Sequence, residues 1–222
     1  MKISSLLNLL LPLYCARCGR VGRAMCENCI QELEKDLENC CIICGNYQKG
    51  WLCSGCGTKD SFAFGFYDQP IGLLATSLKQ NSARHLALVV ARLLADTIPE
   101  VRAERVVITP VPTLAKHRKE RGVAHAEMVA RELAKLKGWS YSPLLRRKSG
   151  SVQTGEERKV RIQQAKMAYE VSDKGAGKLA DFDAVIIYDD ITTTGATLAE
   201  CARLLKAAGA KDVRKIVAAR TR

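Results

Sequence analysis

The sequence has 222 residues, 47% of them apolar, and a formal net charge of +12. This length and apolar content allow one domain with a full core and a small appendage, and no apolar run approaches the roughly 18 residues of a membrane span. The charge is uneven, because residues 101–166 carry sixteen Lys and Arg against six Asp and Glu. A segment with a net charge of +10 predicts an anionic partner, either the phosphates of a small molecule or nucleic acid.

The first fifteen residues, MKISSLLNLLLPLYC, imitate an export leader. Asn8 and Pro12 interrupt the leucine-rich run, and no small residue precedes Cys15 to permit cleavage. We therefore expect a short apolar helix over residues 3–11, packed on this protein or on a partner, and a cytoplasmic location.

Cysteines dominate the next part of the chain, where eight of them form four Cys-x-x-Cys pairs. Two intervening residues allow both thiolates of a pair to bind one tetrahedral metal ion. Four pairs predict two structural zinc sites, with the ligands paired either sequentially or in a cross-braced order. Cys40 competes with Cys41, whose spacing is the better one, and Cys201 is expected to be buried packing. The predicted ligands are Cys15, Cys18, Cys26, Cys29, Cys41, Cys44, Cys53 and Cys56.

The rest of the chain alternates between strand and helix patterns. Apolar runs predict strands at 62–67, 105–109, 184–188 and 213–218, and helical spacing predicts helices at 71–94 (broken near Asn81), 124–136 and 198–208. Such alternation predicts a parallel sheet with helices on both faces, whose ligands bind at the carboxyl ends of the strands. We divide the chain into a zinc-ribbon domain at 1–60, with its N-terminal helix, and a second domain at 61–222.

The stretch VIIYDDITTTGAT leaves a predicted strand at such an end. Asp189 and Asp190 are placed to hold a metal ion or to accept hydrogen bonds from hydroxyls. The following residues offer hydroxyls, backbone N–H groups and a helix N-terminus, which together suit a phosphate. A diol site beside a phosphate site describes ribose 5-phosphate. The predicted phosphate-binding residues are Thr192, Thr193, Thr194, Gly195, Ala196 and Thr197.

This stretch resembles the phosphoribosyl-pyrophosphate (PRPP) signature of type I phosphoribosyltransferases. With the cysteine pairs in front, the chain resembles the ComF/GntX family over nearly its full length. Further similar stretches are 109–112 (TPVP), 118–122 (RKERG) and the segment from Gln153 to Tyr169. The resemblance implies an α/β fold in which a double zinc ribbon precedes a type I phosphoribosyltransferase-like parallel sheet.

The resemblance also implies roles for individual residues. Asp189 and Asp190 would face the ribose hydroxyls and Mg²⁺ of bound PRPP. The candidates for binding pyrophosphate are Lys79, Pro112, Arg118 and Arg121. The candidates for a loop that closes over the site are Arg146, Lys148, Gln153, Arg158 and Arg161. The implied cofactors are structural Zn²⁺ and the Mg²⁺ that accompanies PRPP.

Two functions from different classes remain open. The first is an enzyme that transfers phosphoribosyl from PRPP to an unidentified nitrogen acceptor, with a role in natural competence and DNA uptake. The second is a non-catalytic module of the transformation machinery that binds single-stranded DNA and proteins, including a helicase-like partner, in response to PRPP or a nucleotide. Only 5% of the residues are aromatic, so stacking platforms for bases are scarce.

Overall fold

The structure, a computed structural model, describes residues 13–77, 83–113, 125–148 and 168–222. Five strands form a parallel sheet in the order β1-β7-β6-β2-β3, and β4 pairs with β5 in a separate antiparallel hairpin. The strands are β1 (Ser61–Ala63), β2 (Val106–Pro110), β3 (Ser140–Tyr141), β4 (Leu145–Arg147), β5 (Tyr169–Val171), β6 (Ala184–Thr192) and β7 (Asp212–Arg220).

Helices cover both faces of this sheet, as the alternating sequence pattern predicted. The helices are α1 (Glu27–Lys35), α2 (Pro70–Ser77), α3 (Ala83–Thr97), α4 (His125–Lys137), α5 (Asp173–Ala176) and α6 (Ala196–Ala207), with a 3₁₀ turn at Leu179–Asp181. Among the described helices, none is both long and apolar enough to cross a membrane.

Alternate residues of the central strand β6 enter two separate cores. Ile186 and Tyr188 pack with apolar residues of α2, α3 and α4 on one face. Val185 and Ile187 pack with residues of α6 on the other face. A strand buried on both faces must be apolar at every position, which explains the continuous apolar run at the start of β6. The predicted α/β fold, a parallel sheet with helices on both faces, is confirmed.

Three strands differ in length from the sequence-based expectation. β7 was predicted at 213–218 and extends from Asp212 to Arg220. β6 was predicted to end at residue 188, but its parallel pairing with β7 continues from Asp189↔Val217 to Thr192↔Arg220. The strand predicted at 62–67 is regular only as far as Ala63, although Phe64 N–H still donates to Val217 O at 3.1 Å. Pairing with β7 therefore determines where β1 and β6 end. Because β7 follows later in the chain, the sequences of β1 and β6 alone do not show these ends.

The cysteine-rich region packs directly on the sheet. Cys40 and Ala63 exchange two backbone hydrogen bonds of 2.8 Å, so the chain at Cys40 lies along the edge of β1 that does not face β7. The Gln48 side-chain amide donates to Ser61 O at 2.7 Å, and the Trp51 ring lies 6.1 Å from that of Phe62. The division at residue 60 stays a prediction, and contacts across it are close. The helix predicted at 3–11 lies outside the described residues.

Candidate functional site

The acidic pair, Asp189 and Asp190, lies at the carboxyl end of the sheet, near the end of β6. Asp189 and Asp190 are both half-buried, and the Asp190 N–H donates to Asp189 Oδ1 at 2.9 Å. Burial and the neighbouring charge of Asp190 raise the pKa of Asp189 to about 8, although that N–H acts in the opposite direction. Carboxylate oxygens are the ligands that Mg²⁺ prefers, and a carboxyl with a raised pKa would gain from a nearby cation. The residues present therefore fit a magnesium ion.

A hydroxyl-lined turn joins the acidic pair to α6. Gly195 has a φ of +71°, a left-handed conformation that suits glycine. The Gly195 N–H donates to Thr192 Oγ1 at 3.1 Å, and the Ala196 N–H donates to Thr194 Oγ1 at 3.3 Å. α6 starts directly after the turn and runs for 12 residues, so the positive end of its dipole faces the turn. We call residues 192–197 the phosphate cup, because this arrangement favours an anion.

The end of β2 lies beside the acidic pair. Pro110 pairs in register with Tyr188, and the Val111 N–H donates to Tyr188 O at 2.8 Å. Pro112, one of the four pyrophosphate-binding candidates, is therefore two residues beyond the β2 residue that pairs with Tyr188, the residue before the acidic pair. The other three, Lys79, Arg118 and Arg121, lie outside the described residues.

The β4–β5 hairpin carries the described loop candidates. The Lys148 N–H donates to Ala168 O at 2.8 Å, so the two described residues on either side of segment 149–167 are hydrogen-bonded to each other. Arg146 forms ion pairs with Glu170 at 3.0 Å and Asp173 at 3.4 Å, so carboxylates of this chain already occupy its guanidinium. The remaining loop candidates, Gln153, Arg158 and Arg161, lie outside the described residues.

Tyr169 on β5 contacts the phosphate cup, a role that sequence reasoning did not assign. Burial raises the pKa of Tyr169, and the opposing influences are the charge of Arg147 and a side-chain hydrogen bond with Thr197. The Arg147 guanidinium lies 5.4 Å from the centre of the Tyr169 ring. The hairpin thus brings a phenol and a cation to the first turn of α6. The sequence held one signal, the Ala168–Tyr169 pair within a stretch similar to the ComF/GntX family.

The eight predicted metal ligands form two groups, and each group contains two consecutive pairs. Within each group all four sulfur atoms lie within 4.8 Å of one another. Four thiolates at about 2.3 Å from a zinc ion lie about 3.8 Å apart. Individual sulfur–sulfur distances are 3.7 Å for Cys18–Cys26, 3.7 Å for Cys41–Cys56 and 3.4 Å for Cys44–Cys53. Both groups could therefore hold zinc, with the ligands paired sequentially.

The first group (Cys15, Cys18, Cys26, Cys29) and the second group (Cys41, Cys44, Cys53, Cys56) are called the first and second clusters below. Backbone N–H groups support the thiolates, from Cys26 to Cys15 Sγ at 3.4 Å and from Ile43 to Cys41 Sγ at 3.3 Å. Cys40 and Cys201 are fully buried outside the clusters.

The larger part of the chain matches a protein-family model. Residues 77–222 match the model described as phosphoribosyl transferase domain. The chain belongs to this family. The phosphoribosyl transferase domain so defined contains the acidic pair, the phosphate cup and the β4–β5 hairpin, whereas both cysteine clusters precede it. Among curated proteins, none matches the chain.

Two solved structures are similar to part of this chain. One is the glutamine PRPP amidotransferase from B. subtilis complexed with ADP and GMP, with 21% identity and a TM-score of 0.40 over 61% of this chain. The other is described as the allosteric regulatory enzyme of purine biosynthesis, with 22% identity and a TM-score of 0.40 over 61% of this chain. The aligned part is only 26% and 25% of those longer chains.

Proposed function

We propose that this chain binds PRPP with Mg²⁺ and transfers its phosphoribosyl group to a nitrogen acceptor. One observation carries the proposal: β6 continues from the half-buried acidic pair directly into the phosphate cup at the N-terminus of α6. A single strand thus presents two carboxyl groups suited to a diol and, a few residues later, a turn suited to a phosphate. Ribose 5-phosphate carries both groups in that order.

In this proposal each part of the site binds one part of the ligand. Asp189 and Asp190 accept hydrogen bonds from the ribose 2′ and 3′ hydroxyls, and residues 192–197 hold the 5-phosphate. Pro112 lies on the pyrophosphate side, and the resemblance implies that Lys79, Arg118 and Arg121, which are outside the described residues, would supply positive charge to the pyrophosphate. Zinc bound in the two clusters stabilises the cysteine-rich region, which is too small to fold on apolar burial alone.

The reaction breaks one bond at C1 of the ribose and forms another. The C1–O bond to pyrophosphate breaks with its electron pair going to the pyrophosphate oxygen, through an oxocarbenium-like transition state. The lone pair of the acceptor nitrogen then forms the C1–N bond, and the nitrogen gives up a proton to solvent. Mg²⁺, when bound, neutralises charge on the leaving pyrophosphate. The basic residues named above add to that neutralisation, and the two carboxylates orient the sugar.

Calorimetry of PRPP binding in the presence of Mg²⁺ tests the proposal. We expect Asp190→Asn to weaken binding about 10-fold to 100-fold, because a charge-assisted hydrogen bond to the ribose is lost. Asp181→Asn is the matched control, since Asp181 is exposed in the 3₁₀ turn that precedes β6 and changes the net charge equally. Equal affinity of Asp190→Asn and the wild-type protein would refute the site.

Pyrophosphate release separates catalysis from binding alone. Release that depends on one member of a panel of nitrogen acceptors, and that Asp190→Asn abolishes, supports the transferase. PRPP binding without release across the whole panel supports a binding module.

A second candidate function, binding of single-stranded DNA within the transformation machinery, is favoured by a different surface. Lys59, Lys206, Lys211 and Lys215 line an open groove of about 620 Å³ together with Asp60 and Asp212. Asp60 pairs with Lys215 at 2.9 Å and lies 3.8 Å from Lys206, so the four lysines outnumber the carboxylates that offset them. Such a groove suits a phosphate backbone and needs no aromatic residues.

The salt dependence of oligonucleotide affinity tests this candidate. If lysines neutralise the backbone, affinity falls steeply with added salt, and Lys206→Gln with Lys211→Gln reduces the slope of log K against log[salt] by about 1.4. An affinity that does not change with salt, or an unchanged slope in the double variant, would rule out this groove.

A further inference from the structure

We propose that the second cysteine cluster positions the phosphate cup, through Ile42 and Arg220. Metal bound by Cys41, Cys44, Cys53 and Cys56 would then favour the form of the cup that binds ligand. The inference rests on the proposed function for the identity of that ligand. The contact between cluster and cup is independent of it.

The first link is an apolar contact with the glycine of the cup. Ile42 and Ile43 separate the two cysteines of the third pair, and Ile42 is 1% exposed. A methyl group added to Gly195 would come within 3.0 Å of Ile42 Cγ2 and 3.8 Å of Ile43 Cδ1. The third cysteine pair therefore packs directly on the buried Gly195, whose φ of +71° shapes the turn.

The second link is the guanidinium of Arg220 at the end of β7. Arg220 Nη1 donates to Cys41 O at 2.9 Å, and a methyl group added to Gly45 would lie 3.0 Å from the same nitrogen. Arg220 pairs in register with Thr192, the first residue of the cup, and the Thr221 N–H donates to Thr192 O at 2.9 Å. The third cysteine pair thus contacts Gly195 directly and is linked to Thr192 through Arg220.

The metal and the sheet together fix the position of Ile42. On one side, Cys40 is held to Ala63 by two backbone hydrogen bonds. On the other side, Cys41 and Cys44 are ligands of the second cluster. Without metal, no ion joins the four cysteines of the second cluster, so the turn that carries Ile42 loses one of its two restraints.

The first cluster provides an internal comparison. It packs with Leu33 of α1 and Leu74 of α2 on the face of the sheet opposite to that of Ile42 and Leu198. Leu33 and Ile42 are both 1% exposed, and truncation to alanine removes the same number of carbon atoms from each. A change at Leu33 therefore reproduces the loss of buried apolar contact without touching the cup.

Amide hydrogen exchange of the zinc-loaded protein tests the link without any ligand. We expect Ile42→Ala to speed exchange across residues 189–199 at least about fivefold, with two zinc ions per chain retained. Ile42→Val keeps the Cγ2 atom that faces Gly195 and should exchange like the wild-type protein. Arg220→Met removes the hydrogen bond to Cys41 O, leaves every cysteine in place and should also speed exchange. Leu33→Ala should leave this segment unchanged.

Zinc release to a chromogenic chelator tests the coupling in the opposite direction, because coupling between two sites is reciprocal. Ribose 5-phosphate should slow the release of one zinc ion of two about fivefold in the wild-type protein, and Ile42→Ala should remove that protection. Wild-type exchange rates in both Ile42→Ala and Arg220→Met, or equal acceleration by Leu33→Ala, would overturn the inference. If the wild-type protein does not bind ribose 5-phosphate, the proposed function fails, and hydrogen exchange still decides the link between cluster and cup.

Discussion

The Asp189 side chain is half-buried next to Asp190 in the chain, and burial together with the charge of Asp190 raises its pKa. With a pKa of about 8 the group keeps its proton at neutral pH until a cation or a hydroxyl donor approaches. An unfolded chain would lose that proton near pH 3.9. Between these two values the unfolded state binds fewer protons, so the free energy of unfolding falls as the pH rises.

Asp189→Asn should therefore stabilise the protein at alkaline pH, because asparagine stays neutral and keeps the oxygen that accepts the Asp190 N–H. We expect a gain on the order of 1–2 kcal/mol at pH 9, or roughly 3–6 °C in melting temperature, and no gain near pH 4. Thermal melts across this range, with Asp181→Asn as the control, measure the effect. Parallel melting curves for wild type and Asp189→Asn across the pH range would contradict it.

At this scale the sequence identifies groups whose chemistry is local. Asp189, Asp190 and the threonines of the cup could be predicted because they are consecutive in the chain. Arg220 and Ile42 could not, since each meets the cup only through the pairing of β7 with β6 or through the packing of a cysteine turn on the sheet. Neither residue belongs to a sequence motif that predicts a contact with the cup. The position of Ile42 between two cysteines, in particular, does not indicate that it packs on Gly195.

Among the elements, the β4–β5 hairpin connects the cup to segment 149–167. Its antiparallel pairing places Arg147 opposite Tyr169, and Tyr169 reaches Thr197. Neither strand exceeds three residues, so no periodicity marked them in the sequence. The long elements around them were predictable because 12 to 15 residues of helical spacing give a clear pattern.

Tyr169→Phe should weaken binding of ribose 5-phosphate about twofold to tenfold with little change in stability. The substitution removes the hydroxyl near Thr197 and keeps the ring under Arg147, and one hydrogen bond contributes about 0.5–1.5 kcal/mol. Calorimetry measures the affinity. Tyr14→Phe is the control, since Tyr14 is exposed in the cysteine-rich region. If the two variants bind equally well, the hairpin has no part in holding the phosphate.

In the whole molecule, the cysteine-rich region and the sheet pack against each other through one shared interface. Trp51 lies in this interface, where its ring contacts Phe62 and the Arg214 guanidinium, and its indole N–H donates to Glu100 O at 3.0 Å. The sequence correctly indicated two four-cysteine clusters and an α/β sheet. The sequence could not indicate that the second cluster packs on the carboxyl end of that sheet. That contact depends on the order of the strands, which brings distant parts of the chain together.

Removal of metal by a chelator should shift the emission of Trp51 to longer wavelength and leave that of Trp139 unchanged. The chain has two tryptophans, so Trp139→Phe and Trp51→Phe isolate one reporter each. Trp139 directly follows α4, its backbone N–H donates to Ala134 O at 2.9 Å, and it lies in the part of the chain that contains no predicted zinc ligand. The far-ultraviolet dichroism of the sheet should persist, because its core contains no metal ligand beyond those of the first cluster. An unchanged Trp51 spectrum in the metal-free protein would disprove the shared interface.

The position of β7 has a consequence for biosynthesis. This strand follows every other strand in the chain, yet it lies between β1 and β6. During translation β1 therefore leaves the ribosome first among the described strands, whereas its pairing partner β7 leaves it last. Until then β1 and β6 both present unpaired edges, which are sites of aggregation in nascent chains. A bound chaperone, or early metal uptake that keeps the cysteine-rich region folded over β1, would protect the chain during that interval.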